Sequence, residues 1–520
     1  MLFPSRRSGS DLEALRGAAG GGLGLGWPIV PRQTSPGVPP SEDMAGLSAA
    51  QGRAVTELLR VSPVAVELGR RFTAAGAELA LVGGSVRDAL LGRLGEDLDF
   101  ATSARPDQTA AILKGWAESI WDVGAAFGTV GAARGGYKLE ITTYRADAYD
   151  RDSRKPEVAF GTELTEDLAR RDFAVNAMAV RLPDVEFVDP YGGLRDLADR
   201  VLRTPRGPAA SFSDDPLRMM RAARFAAQLD FTVAQPEQVA MAEMAERIGI
   251  VSAERVREEL VRLINGSSPR RGLELLVSSG LAALVLPELP ALRLEIDEHH
   301  RHKDVYEHTL TVLEQAMALE DDGPDFVLRF AALMHDVGKP RTRRNEPGGR
   351  VSFHHHEVVG AHMTKARMKA LRFDKVTTED VARLVELHLR FHGFADGEWT
   401  DSAVRRYVRD AGHLLDRLHK LTRADCTTRN KRKAAALARS YDAFEERIAG
   451  LAAQEELNSL RPALDGNDIM AELGLPPGPA VGEAYRYLLE LRIEQGPMSR
   501  EDGVAALRAW WDQREAGQTH

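Results

Sequence analysis

The chain has 520 residues, 43% of them hydrophobic, and a formal net charge of −9. This length is enough for several domains, and the single cysteine, Cys426, excludes an internal disulfide and favours a reducing compartment such as the cytosol. No uninterrupted apolar stretch reaches the ~20 residues that a membrane span needs. The acidic balance gives no general affinity for nucleic acid, so any such role must rest on local basic patches.

The N-terminal segment differs in composition from the rest. A glycine-rich run at 20–26 and a proline-rich run up to Pro40 cannot build a core, which predicts disorder. No continuous apolar segment follows the early arginines, so a signal peptide is not expected. We expect a disordered leader over residues 1–45. Residues 1–43 are either a start-site artefact or a dispensable tail, because Met44 opens the first ordinary globular sequence.

Two glycines and two aspartates form the first candidate site. Gly83 and Gly84 follow the apolar run 79–82, and Asp97 and Asp99 lie in a second strand-like stretch. Side chains alternate along a strand, so the two aspartates point to one side, where a divalent cation would relieve their repulsion. A glycine pair lets a phosphate approach the backbone. A short βαβ-like unit would bring both to one end of a sheet, which predicts a nucleoside triphosphate beside a metal. A plain turn and an exposed strand edge are the alternatives.

The flanking segments frame this unit. Apolar periodicity predicts a helix over 48–75 before it, and alternation predicts a hairpin of strands 127–132 and 137–143 after it. Glu140 shares a face with its polar neighbours in the second of these strands. It is therefore a candidate third carboxylate, and a solvated strand position is the alternative.

A charged segment over 166–179 is predicted to be helical. Asp167 and Arg171 then form an i,i+4 pair. The adjacent Arg170 and Arg171 would be well placed to neutralise triphosphate oxygens beside the carboxylates. A salt-bridged surface helix is the alternative.

The next helix carries a donor and an acceptor on one face. Ser213 or Asp214 is the predicted N-cap, and Asp215, Arg218 and Arg221 recur every three residues. A carboxylate beside a guanidinium matches the base edges of C and A, each of which offers an amine next to a ring-nitrogen acceptor. G and U have the opposite order, so this helix predicts a choice of C and A without a template. An intrahelical Asp–Arg ladder is the alternative.

Histidines become dense after residue 289. One lies on a helix, an adjacent His-Asp pair ends an apolar helix, and an aspartate follows later; these are His308, His335, Asp336 and Asp425. Further histidines stand at 354–356, 388 and 392. Imidazoles and carboxylates at helix positions suit a divalent metal held between helices.

In this order the motifs resemble those of the class II CCA-adding tRNA nucleotidyltransferases and the related bacterial poly(A) polymerases. The resemblance covers roughly residues 48–290. It is carried by Gly83-Gly84-x-x-Arg87-Asp88 with Asp97-x-Asp99, by Asp167-Leu168-x-Arg170-Arg171-Asp172-Phe173 with Asn176, and by Asp215-Pro216-Leu217-Arg218 with Arg221 and Arg224. The later region resembles an HD domain, whose His…His-Asp…Asp pattern is matched by His308, His335-Asp336 and Asp425.

The resemblance implies a mainly α-helical, multidomain protein. A small α/β nucleotidyltransferase head with a mixed or antiparallel sheet is followed by a helical neck that binds RNA and nucleotide, a helical HD domain and a helical tail. The implied boundaries are 1–45 for the leader, 46–205 for the head, 206–290 for the neck, 291–430 for the HD domain and 431–520 for the tail.

The resemblance also implies roles for residues. Two Mg²⁺ ions would be held by Asp97 and Asp99, with Glu140 as the candidate third carboxylate. The triphosphate would be held by Gly84, Arg87 and Arg171. The base would be read by Asp215 and Arg218, and Arg221 and Arg224 would support these two residues and the nearby phosphates. A second divalent metal, of unknown identity, would lie in the HD domain. Two departures from the family pattern are Ala174 for its usual Thr and Asp214 for its usual Glu.

The predicted function is a cytosolic enzyme that adds C, C and A to tRNA 3′ ends from CTP and ATP and releases pyrophosphate. The near alternatives are a poly(A) polymerase or a sister enzyme that adds only CC or only A. The distant alternatives are an HD-type metal phosphohydrolase with a vestigial head and a non-catalytic RNA-binding module. The oligomeric state is not predicted.

Overall fold

The computed structural model describes most of the chain after residue 62. The described residues are 63–124, 128–146, 159–293, 304–347, 351–391, 399–428, 430–455 and 461–518. The predicted leader and the first part of the predicted helix over 48–75 lie outside them. The predicted domain boundaries stay a prediction.

The head is built on a mixed sheet. The sheet consists of β1 (Leu79–Val82), β2 (Asp97–Thr102), β3 (Ser119–Gly124), β4 (Thr129–Arg134), β5 (Tyr137–Thr143), β8 (Ala179–Leu182) and β9 (Glu186–Val188). Two short strands, β6 (Arg145–Ala146) and β7 (Ala159–Phe160), pair with each other outside it. The seven-stranded order is β3-β4-β5-β2-β1-β8-β9, and every neighbouring pair is antiparallel except β2 and β5.

One face of this sheet packs against the main core. On the opposite face a smaller apolar cluster buries Ala80, Val82, Ala101 and Ala179, and leaves the start of β2 and the first half of β5 open. Leu98 and Phe100 in β2, like Leu139 and Ile141 in β5, are buried in the main core, while the residues between them are exposed. This alternation of period two is what places the polar residues of both strands on the open part of that face. The head helices are α1 (63–74), α2 (Gly84–Leu90), α3 (Pro106–Leu113), α4 (Leu164–Ala169) and α5 (Gly193–Asp199).

The neck is helical. Its elements are α6 (Pro208–Asp214), α7 (Leu217–Leu229), α8 (Gln235–Met244), α9 (Ala253–Ile264), α10 (Pro269–Ser278) and α11 (Leu281–Val285), with a short parallel pair of β10 (Val201–Leu202) and β11 (Thr232–Val233). Helix α7 packs against both α9 and α10. The approach of α10 depends on Gly272, because a Cβ there would lie 2.5 Å from the carbonyl oxygen of Ala223.

The remainder is also helical. Its elements are α12 (Val305–Met317), α13 (Phe326–Met334), α14 (Lys339–Thr342), β12 (Arg344–Asn345), β13 (Val351–Ser352), α15 (His356–Ala370), α16 (Lys375–Leu387), α17 (Asp401–Ala411), α18 (Leu415–Asp425), α19 (Lys431–Glu455), α20 (Gly466–Leu473), α21 (Pro479–Gln495) and α22 (Arg500–Gln518). The predicted fold class, mainly α-helical with a small α/β head, is confirmed. Within the described part of the chain, no helix combines the length and apolarity needed to cross a bilayer.

A buried arginine joins the neck to the helices that follow it. Arg329 of α13 donates from Nη1 to the carbonyl oxygens of Ile264 and Gly266, at 2.9 and 2.8 Å. Its other nitrogens form a bidentate pair with the carboxylate of Glu320, at 2.7 and 2.6 Å. The last carbonyls of α9 are therefore satisfied by a side chain from α13.

Three local predictions were wrong. The strands of the predicted βαβ-like unit, β1 and β2, are antiparallel, and this is why the end of one and the start of the other share an edge. The segment 166–179 is not one helix, because α4 ends at Ala169 and the chain then forms a 3₁₀ turn and strand β8. Neither Ser213 nor Asp214 caps α7; both belong to α6.

Candidate functional site

The carboxylates of the head lie on the open part of the sheet face opposite the main core. Asp99 of β2 lies directly opposite Glu140 of β5 in the parallel register, and Asp97 lies one exposed position earlier. The pKa of Asp99 is raised, first by loss of hydration and further by Glu140 and Asp97, while Arg171 opposes the rise. The three carboxylates therefore lie on one side of the paired strands β2 and β5, where a hard divalent cation would relieve their repulsion.

Backbone atoms of two glycines lie beside Asp99. Gly83 has φ +67°, and a Cβ there would lie 2.6 Å from Nη1 of Arg171. A Cβ at Gly84 would lie 3.6 Å from Nη2 of Arg87 and 4.0 Å from Oδ2 of Asp99. The absence of side chains leaves the space between the arginines and the carboxylate open to a ligand.

A chain of hydrogen bonds ties the head to the neck. Nη1 of Arg87 donates to Oδ1 of Asn176 at 2.6 Å, and Nδ2 of Asn176 donates to Oδ1 of Asp172 at 2.9 Å. The other oxygen of Asp172 accepts from Nε and Nη2 of Arg221 on α7, at 2.8 and 2.6 Å. Burial alone would raise the pKa of Asp172, but Arg221 and Asn176 hold it at about 2.

The ion pair predicted for Arg171 forms, although the helix predicted around it does not. Nη2 of Arg171 lies 3.2 Å from Oδ2 of Asp167, which confirms that ion pair although the residue lies beyond the end of α4. The carbonyl oxygen of Arg170 accepts a hydrogen bond from Arg218. Arg218 also donates to Oγ of Ser211 at 2.9 Å, so its guanidinium is anchored on two sides.

The acceptor of the predicted base-reading pair has a different partner. Asp215 precedes α7 in an extended conformation, and its Oδ1 accepts from the backbone N–H of Leu217 at 3.1 Å. Its Oδ2 lies 2.9 Å from Nη2 of Arg255 on α9. Asp215 therefore takes no part in an Asp–Arg ladder along one helix, because its ion pair joins the segment before α7 to α9.

Two more arginines of α7 share a buried carboxylate. Glu259 of α9 lies 2.5 Å from Nε of Arg224 and 3.5 Å from Nη1 of Arg221. The ring of Phe225 lies beneath both guanidinium groups and that of Arg87, with centroid distances of 3.9, 5.5 and 5.3 Å respectively. Cation–π contacts and one carboxylate hold these cations close together.

These groups surround one cavity of about 430 Å³. Its lining includes seven arginines against three aspartates; the charged residues are Arg87, Arg171, Arg218, Arg221, Arg224, Arg255, Arg262, Asp99, Asp172 and Asp215. Gly83, Gly84 and Asn176 also line it, whereas Asp97 and Glu140 lie outside the lining. This excess of positive charge suits a polyphosphate.

The contribution of α9 to the cavity was not predicted from the sequence. Arg255, Glu259 and Arg262 are spaced i, i+4, i+7, so they share the face that meets the cavity. That spacing was visible in the sequence, but nothing local showed that this face would meet α7. Asn176 belonged to a recognised motif without an assigned role, and Asp214, the departure from the family pattern, does not line the cavity.

A second cluster lies among the later helices. Nε2 of His308 lies 3.0 Å from Oδ1 of Asp425, and Nε2 of His335 lies 3.2 Å from Oδ2 of Asp336. The two Nε2 atoms of these histidines lie 3.3 Å apart. The structure therefore brings all four predicted residues together, from α12, the end of α13 and α18. Nζ of Lys339 lies 2.8 Å from the same oxygen of Asp336.

Two further histidines complete this cluster. Nδ1 of His356 and of His388 each contact a backbone carbonyl, of Phe353 at 2.8 Å and of Val385 at 2.7 Å. A carbonyl only accepts, so Nδ1 carries the proton and Nε2 keeps its lone pair. Both Nε2 atoms are buried, and neither forms a regular hydrogen bond among the described residues, although Nε2 of His356 lies 3.3 Å from Oδ1 of Asp336. Burial, with the nearby His335, lowers the pKa of His388 to about 3, which keeps it neutral.

Five of these side chains, all but Asp425, form two overlapping groups whose ligand atoms lie close enough to share a metal ion. One is His308, His335 and Asp336, and the other is Asp336, His356 and His388; within each, the ligand atoms lie within 4.8 Å of one another. Of the other histidines, His354 and His355 are exposed and His392 lies outside the described residues. The sequence pattern predicted His308, His335 and Asp336 as ligands, whereas His356 and His388 were noted only as further histidines without a specific role.

Family models match three parts of the chain. The poly A polymerase head domain matches residues 79–203, the probable RNA- and SrmB-binding site of polymerase A matches 230–292, and the HD domain matches 305–430.

Whole-length relatives carry related names. The chain is 36% identical to an A-adding tRNA nucleotidyltransferase from Deinococcus radiodurans, over 83% of this chain and 95% of the relative. It is 34% identical to a CC-adding tRNA nucleotidyltransferase from Thermus thermophilus, over 84% and 94%. It is 29% identical to a CCA-adding enzyme from Streptococcus suis, over 84% and 94%.

Solved structures share the fold. A CCA-adding enzyme from Bacillus stearothermophilus in complex with CTP aligns with a TM-score of 0.61 at 24% identity, covering 87% of this chain and 98% of that one. One from Thermotoga maritima complexed with tRNA aligns with a TM-score of 0.57 at 17% identity, covering 88% and 98%.

Proposed function

The chain belongs to the family of tRNA nucleotidyltransferases and bacterial poly(A) polymerases, and from that premise we propose that it adds C, C and A to the 3′ end of tRNA. The substrates are CTP and ATP, the product released is pyrophosphate, and the enzyme acts in the cytosol. One observation carries the proposal: a single arginine-rich cavity joins Asp99 and the glycine backbone of the head to Asp215 and Arg218 of the neck.

The head provides the groups for phosphoryl chemistry. Asp97 and Asp99, with Glu140 beside them, would hold Mg²⁺, because carboxylate oxygens are its preferred protein ligands. The pKa of Asp99 is raised first by burial and further by the other two carboxylates, so a cation there would offset both effects. When bound, the cations lower the pKa of the attacking 3′-hydroxyl and stabilise the leaving pyrophosphate.

The protein's own side chains position the substrate. Arg87 and Arg171 flank the glycine backbone and bind the triphosphate oxygens, so that the α-phosphate faces Asp99. Asn176 fixes the orientation of Arg87 through a 2.6 Å hydrogen bond. Arg221 lies on the neck side of the cavity, where Asp172 and Glu259 hold its guanidinium in place.

The neck reads the base. A carboxylate oxygen of Asp215 accepts from the exocyclic amine of C or A, and an N–H of Arg218 donates to the adjacent ring nitrogen. U and G would place a carbonyl oxygen against the carboxylate, leaving two acceptors face to face. Arg218 is anchored by Ser211 and by a backbone carbonyl, so its position does not depend on the nucleotide.

A nucleotide-addition assay tests this proposal. Purified protein, Mg²⁺ and tRNA without its CCA end are incubated with each labelled nucleotide alone and with CTP and ATP together. Growth by three nucleotides only with both supports the proposal. Growth by CC alone, by a single A or by an unlimited A tract identifies the CC-adding, A-adding or poly(A) alternative instead. No incorporation would favour a vestigial head.

A second candidate function belongs to the histidine cluster. The buried Nε2 atoms of His356 and His388 group with the carboxylate of Asp336, which also belongs to the first ligand group, so we propose a two-ion metal centre that hydrolyses phosphate esters. After dialysis into Mg²⁺ buffer, the wild type should retain tightly bound transition metal, and His388→Gln should retain less. The control Asp97→Asn should match the wild type. Phosphatase or 2′,3′-cyclic phosphodiesterase activity that survives Asp99→Ala but not Asp336→Ala would establish this activity.

A further inference from the structure

We propose that Arg255 of α9 is a positioning residue for base selection, a role that deepens the proposed function and rests on it. The observation is the 2.9 Å contact between Nη2 of Arg255 and Oδ2 of Asp215. Among the described residues, no other basic side chain lies within ion-pair distance of this carboxylate.

Asp215 needs a second anchor for its side chain, because α6 holds only its backbone, whose N–H donates to the carbonyl oxygen of Ser211 at 3.2 Å. It lies between α6 and α7 in an extended conformation, with φ −142° and ψ 102°. One oxygen accepts from the N–H of Leu217 at 3.1 Å, which leaves the carboxylate free to turn about that single contact. The contact with Arg255 fixes the second oxygen and thereby the plane of the group.

Helix α9 is itself fixed, so Arg255 approaches from a rigid element. At its N-terminus, Oγ of Ser252 accepts from the backbone N–H of Arg255 at 3.4 Å. In its middle, Glu259 is buried and contacts two arginines of α7. At its C-terminus, Arg329 caps the carbonyl of Ile264. The position of α9 in the wall of the cavity is therefore fixed before any nucleotide binds.

Both members of the base-reading pair are thus oriented in advance. Each oxygen of Asp215 still has a lone pair for an exocyclic amine, because each accepts one hydrogen bond from the protein. A fixed carboxylate rejects the carbonyl oxygen of U or G, whereas a carboxylate that can turn away would tolerate it. Arg255 therefore acts mainly on discrimination between bases and little on the binding of the triphosphate.

Equilibrium binding tests this role in the full-length protein with Mg²⁺. The probes are CTP, UTP, ATP, GTP and inorganic triphosphate, and the proteins are wild type, Arg255→Ala, Arg255→Lys and the control Arg271→Ala. Arg271 is a matched control because it forms a 3.0 Å pair with Asp230 outside the cavity. Arg255 is half exposed, so its replacement by Ala is expected to fold, and thermal unfolding verifies this.

We expect Arg255→Ala to lower the CTP-to-UTP and ATP-to-GTP affinity ratios by about two- to fivefold, the size of one half-exposed ion pair. Inorganic triphosphate should bind as to wild type, Arg255→Lys should recover part of each ratio, and the control should keep both. Unchanged ratios in Arg255→Ala would overturn the proposal. So would equal weakening of all five probes, which would assign Arg255 to the phosphates. If the wild type binds CTP and UTP, and ATP and GTP, equally well, the proposed reading of the base by Asp215 is wrong.

Discussion

The charge of Asp172 should make stability depend on pH in a window set by its pKa. This carboxylate is buried and lies between Asn176 and Arg221, and its pKa is about 2 instead of 3.8. The folded-state pKa lies below the unfolded value, so the ionised group stabilises the fold above pH ~4 and this contribution is lost as the pH falls towards 2. A shift of this size corresponds to about 2 kcal/mol.

The variant Asp172→Asn removes this contribution. We expect the difference in unfolding free energy between wild type and Asp172→Asn to be constant above pH ~5 and to shrink by about 2 kcal/mol between pH 4 and 2. Guanidinium unfolding followed by circular dichroism measures it. Asp230→Asn, an exposed aspartate paired with Arg271, serves as the control and should show no such change. A difference between wild type and Asp172→Asn that stays the same from pH 7 to 2 would refute the reasoning.

Three further substitutions probe the same cavity. Asp99→Asn should abolish nucleotide incorporation without lowering the melting temperature. The control Asp184→Asn, at an exposed turn of the head, should incorporate nucleotides normally. Residual nucleotide addition by Asp99→Asn would exclude a catalytic role for Asp99. Gly83→Ala should weaken triphosphate binding and destabilise the fold by about 1 kcal/mol, because φ is +67° and the Cβ would meet Arg171; calorimetry measures both. Glu259→Gln should destabilise the neck by about 2–3 kcal/mol in denaturant unfolding, since it removes the charge that the buried Arg224 and the half-buried Arg221 share. No loss of stability would contradict that pairing.

Local rules of sequence recovered the parts of the site that lie on single elements. Alternation along β2 was enough to put Asp97 and Asp99 on one face, and the glycine pair after β1 was readable from its apolar run. The same rules failed where a turn decided the outcome. Asp215 looked helical by its spacing from Arg218, yet the chain is extended there, between α6 and α7.

Contacts between distant segments could not be predicted in this way. His356 and His388 are 32 positions apart in the printed sequence, and only the packing of α15 against α16 brings their rings to 5.4 Å. Arg255 is separated from Asp215 by 40 positions. No periodicity within one helix encodes such a meeting, which depends on how the helices pack.

The cap that α13 places on α9 limits how freely the two halves of the chain can be exchanged. Arg329 supplies the donors for the carbonyls of Ile264 and Gly266, and it is buried at the junction. A shortened chain that stops after α11 would expose these carbonyls and loosen the helix that carries Arg255. A chimaera made with another member of the family therefore has to take α9 and α13 from the same parent. Otherwise it needs another side chain that replaces Arg329 as the hydrogen-bond donor, so that the nucleotide cavity keeps its shape.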